Sequence, residues 1–289
     1  MIDGKRVVAW TPYGREKTVS LLAEYLRRDH DRGIVDEWWL CENTDPDQNS
    51  DVLYMYKLVM ANKGFISRKT RPEDCPRLYP KQRNTGFFYR YMTDPDTVYV
   101  RLDDDIVYVH EDAIERLVRH RLEAEVGVAT FPVMWNNAII TYFLQNAGIV
   151  PKEWGEAKMY CMDPVGWADG QFAVKLHDLL LTAVESEDPA QIEKLFLYHD
   201  MQLPIGMQFS VSTFASLGSM YAGLASPGVL VPDEEESWHT IHQPRRLGQP
   251  NVVHGNALVA HYTFFPQKAI VEASDTLARY RALAQKVNG

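Results

Sequence analysis

Apolar and polar positions alternate along the chain in two rhythms. "RVVAWT" (6–11) is a short apolar run of strand type, stopped by "TPYGR", whose Pro and Gly end regular pairing. From Glu16 to Asp31, Val19, Leu22, Tyr25 and Leu26 recur three and four residues apart, the stripe of a helix packed on a core. "IVDEWWLCENT" (34–44) reads as a second strand, and "DVLYMYKLVMANKG" (51–64) as a second helix with Gly64 at its stop. This β-α-β-α order predicts a parallel sheet with helices on its faces and ligands beyond the carboxyl ends of its strands.

Further on, a short helix near 84–92 precedes an Asp94-Pro95-Asp96 turn and a strand, "TVYVRL", that runs into three consecutive acids, Asp103, Asp104 and Asp105. "EDAIERLVRHRLEAE" reads as a helix with acids in its first turn, and "VGVATFP" as another strand. Residues 133–205 are mostly helical and rich in loops, and "GMQFSVSTFASL" reads as a short strand running into a helix. "NALVAHYTFF" is a last strand, followed by one terminal helix from about Pro266 to Lys286. No internal repeat interrupts this order, which predicts one continuous α/β domain over 1–289.

Composition narrows the function classes. At 289 residues and 46% hydrophobic the chain can bury a large core. It has no run of about 18 apolar residues, and "MIDGKRVVAW" lacks the layout of a signal peptide, so a cytoplasmic protein is expected. Cys41, Cys75 and Cys161 are odd in number and widely spaced, which suggests neither a disulfide framework nor a zinc site. A formal charge of −9 and a pI near 5.5 disfavour a protein that binds chiefly by neutralising a nucleic-acid backbone. The basic stretch "SRKTRPEDCPRLYPKQR" (67–83) is a long irregular loop with enough cations to reach a phosphate.

Three like charges in a row repel, and strands disfavour Asp, so Asp103–Asp105 cost stability unless something neutralises them. A hard divalent cation does so, taking one or two carboxylates together with substrate phosphates and water. Strand alternation would put Asp103 and Asp105 on one face and Asp104 on the other. The alternative is an ordinary acidic turn. A second acidic run, "PDEEESW", supplies Asp233, Glu234, Glu235 and Glu236 just before Trp238; it is either a helix N-terminus enriched in acids or a source of a general base. Asp169 is either another acid of that kind or a helix cap.

"VYVRLDDDIVYV" resembles the strand-DxD-strand signature of glycosyltransferases with the GT-A fold, which move a sugar from a nucleotide diphosphate. Together with "TPYGR", "DEEESW" and "HYTFFPQ" it resembles a group of uncharacterised bacterial and phage GT-A-like proteins, over residues 6–110 and 233–267. The resemblance implies a GT-A-like fold: a Rossmann-like nucleotide-binding half (1–131) with a mixed central sheet flanked by helices, and an acceptor-binding half (132–289). It implies Mn²⁺ or Mg²⁺ held by Asp105 and by a late-chain histidine, His261, with His254 in reserve. Asp103 and Asp104 are then nucleotide or metal-water contacts. Thr11, Pro12, Tyr13 and Arg15 are candidates for the base and ribose, with Tyr13 able to stack. Glu235, then Glu236, is the expected base of an inverting transfer, and Trp238 a floor for a sugar.

The expected function is therefore metal-dependent transfer of a sugar from a nucleotide-sugar donor to an acceptor hydroxyl of a carbohydrate or other molecule. Alternatives are transfer to a modified base in phage DNA, nucleotidyl transfer, and non-catalytic carbohydrate binding. A nucleotidyltransferase would more often carry a Gly-rich basic loop after its first strand, where "TPYGREK" has one Gly.

Overall fold

The computed structural model describes residues 1–45, 47–71, 73, 81–124, 127–221 and 235–288. Its element order is β1 (Arg6–Tyr13), α1 (Glu16–Asp31), β2 (Glu37–Glu42), α2 (Asn49–Ala61), β3 (Ile66–Lys69), a 3₁₀ stretch (Lys81–Tyr91), β4 (Thr97–Leu102), β5 (Ile106–Val109), α3 (Ala113–Glu123) and β6 (Thr130–Trp135). There follow α4 (Ala138–Asn146), α5 (Gly170–Glu185), α6 (Pro189–Glu193), β7 (Met201–Gln202), β8 (Thr213–Leu217), α7 (Glu235–Ser237), a π turn (Trp238–His242), α8 (Gln243–Leu247), β9 (Val252–His261), α9 (Lys268–Ala273) and α10 (Thr276–Lys286).

The strands form one mixed sheet flanked by helices, in the order β3-β2-β1-β4-β8-β6-β9-β5, with β7 on β9. The expected α/β class is thus what the chain adopts. β3, β2, β1 and β4 are parallel, a Rossmann-like half. β8 then enters antiparallel between β4 and β6, so the later part of the chain is woven into the sheet of the earlier part. The division expected at 131/132 falls inside β6. From β1 the chain goes to one side for β2 and to the other for β4. That switch opens a crevice between the loops leaving the two strands, the place where open α/β sheets bind ligands.

The apolar patterns account for this layering. Val19, Leu22, Tyr25 and Leu26, the stripe of α1, are all buried against the sheet. β1 and β4 are buried on nearly every residue because helices cover both faces, which is why they read as continuous apolar runs.

Three boundaries differ from the sequence pattern. The terminal helix is two helices, because the Ser274 hydroxyl bonds the Val271 carbonyl and accepts from the Thr276 N–H, offering the backbone an alternative to helical bonding. β6 lies later than "VGVATFP", and its pairing with β9 slips between Pro132 and Val133, where proline has no N–H to give. β8 ends in a 3₁₀ turn at Gly218–Met220 rather than a helix.

Among the described residues, no helix is long and apolar enough to cross a membrane.

Candidate functional site

The loops leaving β1 and β4 meet. β4 stops at Leu102, and Asp103–Asp105 form a turn closed by the Ile106 N–H on the Asp103 carbonyl at 3.1 Å. Strand alternation therefore does not apply to the three acids, and the expected faces are corrected. Asp104 and Asp105 turn together toward Arg15, whereas Asp103 turns back toward Arg101.

Arg15 stands at the start of α1 and brackets Asp104 with its Nε and Nη2, while Nη2 also reaches Asp105 Oδ2 at 3.1 Å. Gly14, which the sequence reading passed over, makes this approach possible: a Cβ there would lie 2.9 Å from Asp104 Oδ2. The hydroxyl of Thr18 in α1 donates to the Asp104 carbonyl, fixing the turn from the helix side. Across the sheet, β5 pairs with β9 so that Ile106 faces His261, and the Tyr262 N–H donates to the Asp105 carbonyl at 2.9 Å. His261 Nε2 thus comes within 3.4 Å of Asp105 Oδ2, while its Nδ1 faces the Asn136 carbonyl at 3.3 Å. The late-chain histidine and the last aspartate of the run, which the resemblance pairs, lie side by side.

Each acid feels a different field. Burial alone would raise Asp105, but His261 and Arg15 outweigh it and hold its carboxyl well below the usual range. His261 is raised in return, its burial overcome by Asp105. Burial raises Asp104 despite Arg15. Asp103 is pushed up to about 7 by burial and by the like charges of Asp105 and Glu235, with Arg101 opposing.

Arg101 was missed in the sequence, although a lone charge in "VYVRL" was a visible signal. It is buried under the sheet edge with its guanidinium 5.2 Å from the Trp10 ring centroid, and it joins Asp103 (2.7 Å) to Glu235. The Thr85 and Tyr89 hydroxyls donate to the two oxygens of Glu235, the first at 2.6 Å. Burial would raise Glu235, but Arg101 prevails and keeps it below the usual carboxylate range. Glu236 points elsewhere. It accepts from Gln208 Nε2 at 2.6 Å, and burial, only partly offset by Gln208, raises it.

Two adjoining clefts of about 540 Å³ each open over these residues and share Thr85, Arg101 and Asp103 in their walls. One lies over the ends of β1 and β2 and is lined by Pro12, Arg15, Asn43 and Asp104, with Lys268 and the almost fully exposed Phe265 at its other side. The other is lined by Gln208, Ser210, Ser212 and both glutamates.

Other expected contacts are differently placed. Tyr13 is fully buried with its hydroxyl donating to the Asp51 carbonyl, so it offers no ring face to a base. Thr11 is buried too, accepting from Trp38 Nε1 at 3.0 Å. Both point into the layers because β1 is covered on its two faces. Trp238 is buried and stacked on Tyr221, leaving no floor for a sugar. Asp169 caps α5, accepting from Gln171 and Phe172 N–H groups. His254 sits at the other end of β9 from His261 and cannot substitute for it. Asp233, Glu234 and residues 72 and 74–80 of the basic stretch lie outside the described residues.

The acidic rim suits a divalent cation. Among the described residues, Asp105 Oδ1 is buried without a hydrogen-bond partner, and one guanidinium, Arg15, bridges Asp104 and Asp105. An imidazole nitrogen beside that carboxylate makes a donor set acceptable to Mn²⁺ as well as Mg²⁺.

No family model matches the sequence, and no curated relative does. Among solved structures, CMP:2-keto-3-deoxy-manno-octonic acid synthetase complexed with CTP overlaps 97% of this chain and 99% of its own, at 12% identity and a TM-score of 0.45. A mycobacterial protein overlaps 89% of this chain and 65% of its own, at 13% identity and a TM-score of 0.42. Glucosyl-3-phosphoglycerate synthase from Mycobacterium tuberculosis, in complex with Mn²⁺, UDP and glucosyl-3-phosphoglycerate, overlaps 45% of this chain, at 16% identity and a TM-score of 0.34. The chain spans 44% of that synthase. Overlaps this loose carry no argument about chemistry, which rests on the side chains.

Proposed function

We propose that the chain is a metal-dependent glycosyltransferase that takes a nucleotide-diphosphate sugar in the cleft beside Arg15 and an acceptor hydroxyl in the cleft beside Glu236. Donor and acceptor sides belong to one continuous GT-A-like domain in which residues before and after the expected 131/132 division contribute to both clefts. The observation that carries the reading is the junction of the two clefts at Asp103 and Arg101, with the acidic rim on one side and a raised carboxylate on the other.

Asp105 and His261 would hold Mn²⁺ or Mg²⁺, which when bound supplies positive charge for the leaving diphosphate. Arg15 and Lys268 add fixed cations on the donor side, Pro12 and Asp103 line the nucleotide's path, and Phe265 presents a ring for stacking. Glu236 accepts the proton of the attacking hydroxyl. Its raised affinity for protons and its neutral partner among the described residues, Gln208, suit a base better than the Arg101-paired Glu235, so the order expected from the sequence is reversed. Glu235 instead holds Arg101 in place between the clefts.

Incubating the protein with a panel of nucleotide sugars and Mn²⁺ tests this. Release of free nucleoside diphosphate, stopped by chelator, is expected. Release of pyrophosphate from a nucleoside triphosphate and a sugar would instead identify nucleotidyl transfer, and donor turnover unaffected by chelator would overturn the metal's role.

A further inference from the structure

A separate gathering of metal-type ligands lies at the opposite end of β9 from His261. Among the described residues, His120, Asp200 and His254 form the one group of three or more His, Cys, Asp or Glu side chains whose ligand atoms all fall within 4.8 Å of one another. His120 Nε2 is 3.0 Å from Asp200 Oδ2, and His254 Nδ1 is 2.7 Å from Asp200 Oδ1. The two imidazole rings lie over each other, 4.5 Å between centroids and 28° from parallel.

The fold builds this cluster from three elements. β7 pairs antiparallel with β9, Met201 opposite Val253, and so sets Asp200 beside His254. The Gly255 N–H donates to Asp200 Oδ1 at 3.2 Å, and a Cβ on Gly255 would lie 2.3 Å from the His199 carbonyl oxygen, so only glycine admits the chain there. Tyr198 takes a φ of +58°, an uncommon and costly conformation for a bulky residue, as the chain bends toward Asp200. His120 comes from α3, and its second nitrogen, Nδ1, meets Thr130 Oγ1 at 3.1 Å. A partner on the outer nitrogen is how ligating histidines are oriented and kept in the right tautomer.

The donor set differs from that of the rim. Two stacked imidazoles and one carboxylate, with no guanidinium among the described residues bonded to any of the three, form a nitrogen-rich set that suits a late first-row ion better than Mg²⁺. Asp200 retains 43% of its side-chain exposure, so the outer side of the cluster is open to water.

We propose that His120, Asp200 and His254 form a second metal site, distinct from the acidic rim, that takes Zn²⁺ or a chemically similar divalent ion with a solvent molecule completing its coordination. His120 would bind through Nε2 with its single ring proton on Nδ1, donating to the Thr130 hydroxyl oxygen; His254 would bind through Nδ1 with its single ring proton on Nε2. The ion replaces two N–H···O contacts with three metal bonds and ties α3 to the end of β9.

Titrating the full chain with Co²⁺ as a spectroscopic stand-in tests the assignment. A visible ligand-field absorption that saturates near one equivalent and is displaced by Zn²⁺ is expected. It should persist in Asp105→Asn, weaken at least about 100-fold in affinity in His254→Gln and in Asp200→Asn, and weaken about 10-fold in Thr130→Val, which removes only the orienting hydroxyl. Far-UV circular dichroism on each variant separates lost ligands from lost fold. If a histidine variant does not fold, the wild-type spectrum and the near-isosteric Thr130→Val decide. No absorption at millimolar Co²⁺, or absorption lost in Asp105→Asn and kept in His254→Gln, would overturn the proposal.

Discussion

Glu235 and Glu236 are neighbours in the chain and opposites in the structure. Glu235 turns into the sheet edge, where Arg101, Tyr89 and Thr85 saturate it and hold it ionised. Glu236 turns into the second cleft, where the Gln208 amide meets it and burial pushes its carboxyl up. The same contrast runs through the aspartates: Asp105 is depressed by an imidazole and a guanidinium that outweigh its burial, whereas Asp103, two residues earlier, is raised by burial and by its acidic neighbours despite Arg101. Burial raises each of these acids, and what separates them is whether the positive charge around it outweighs that burial: Arg101 does so for Glu235, and His261 with Arg15 does so for Asp105, whereas Arg15 and Arg101 do not for Asp104 and Asp103. The acidic run itself does not report that balance.

The largest expected effect tests the donor side. Asp105→Asn keeps the shape but removes the charge beside His261 and Arg15. Release of nucleoside diphosphate should fall by about 10³-fold, the scale of losing one electrostatic contact to a developing charge. Rates within a few-fold of the wild type would remove the rim from the reaction. Arg101→Met attacks the organising half instead. It leaves Asp103 and Glu235 buried and uncompensated, and breaking such a network costs about 3–5 kcal/mol. Urea unfolding should show this as a lower midpoint with an unchanged slope. A variant as stable as the wild type would mean that Glu235 does not need its partner.

Much of this layout was legible in the sequence, for reasons that mark its limits. The alternation of strand and helix patterns gave the parallel half, and it placed the acids of "RLDDD" on the same edge as "TPYGR". His261 was legible because it ends a strongly apolar strand. Tyr13 was misplaced because a turn aromatic and a buried one look alike until both faces of β1 are known to be covered. Arg101 was overlooked because a single charge inside an apolar strand reads as an interruption, when its partners are 134 residues away at Glu235 and on the adjoining turn at Asp103. The order of Glu235 and Glu236 depends on which way one turn of helix faces, and that is decided by long-range contacts.

Glu236→Gln and Glu235→Gln, measured together, sharpen the contrast directly. The first should lower kcat by about 10²-fold or more, the usual contribution of a general base, with donor KM and the unfolding midpoint little changed. The second should show the reverse weighting: a lower midpoint, because Arg101 loses its counter-charge, and a smaller effect on kcat. Equal losses of kcat in the two variants would mean that both glutamates act through Arg101, and the assignment of Glu236 as base would fall.

The smallest effect lies in how stability depends on pH, where the two glutamates should differ in sign. Glu235 is depressed below its unfolded value by Arg101. It therefore stabilises the fold fully above the unfolded glutamate pKa of about 4.3, and that stability drains away as pH falls through its lower folded value. Glu236 is raised, so its contribution is fully present below the unfolded pKa and is lost as pH rises through the higher folded one. Glu235→Gln should accordingly flatten the acid limb of a plot of urea midpoint against pH, while Glu236→Gln should remove a small loss of stability on the rising side and leave the acid limb alone. His239 adds a background, because burial lowers it to about 4 and the neutral form is the one that fits; its stability is lost as pH falls from the unfolded value near 6.5 toward 4. The Glu235 carboxylate opposes that lowering, so the background cancels between Glu236→Gln and the wild type, whereas Glu235→Gln also makes His239 harder to protonate. If both variants shift the curve in the same direction, adjacent carboxylates share one environment, and the division between an organising acid and a reacting one disappears.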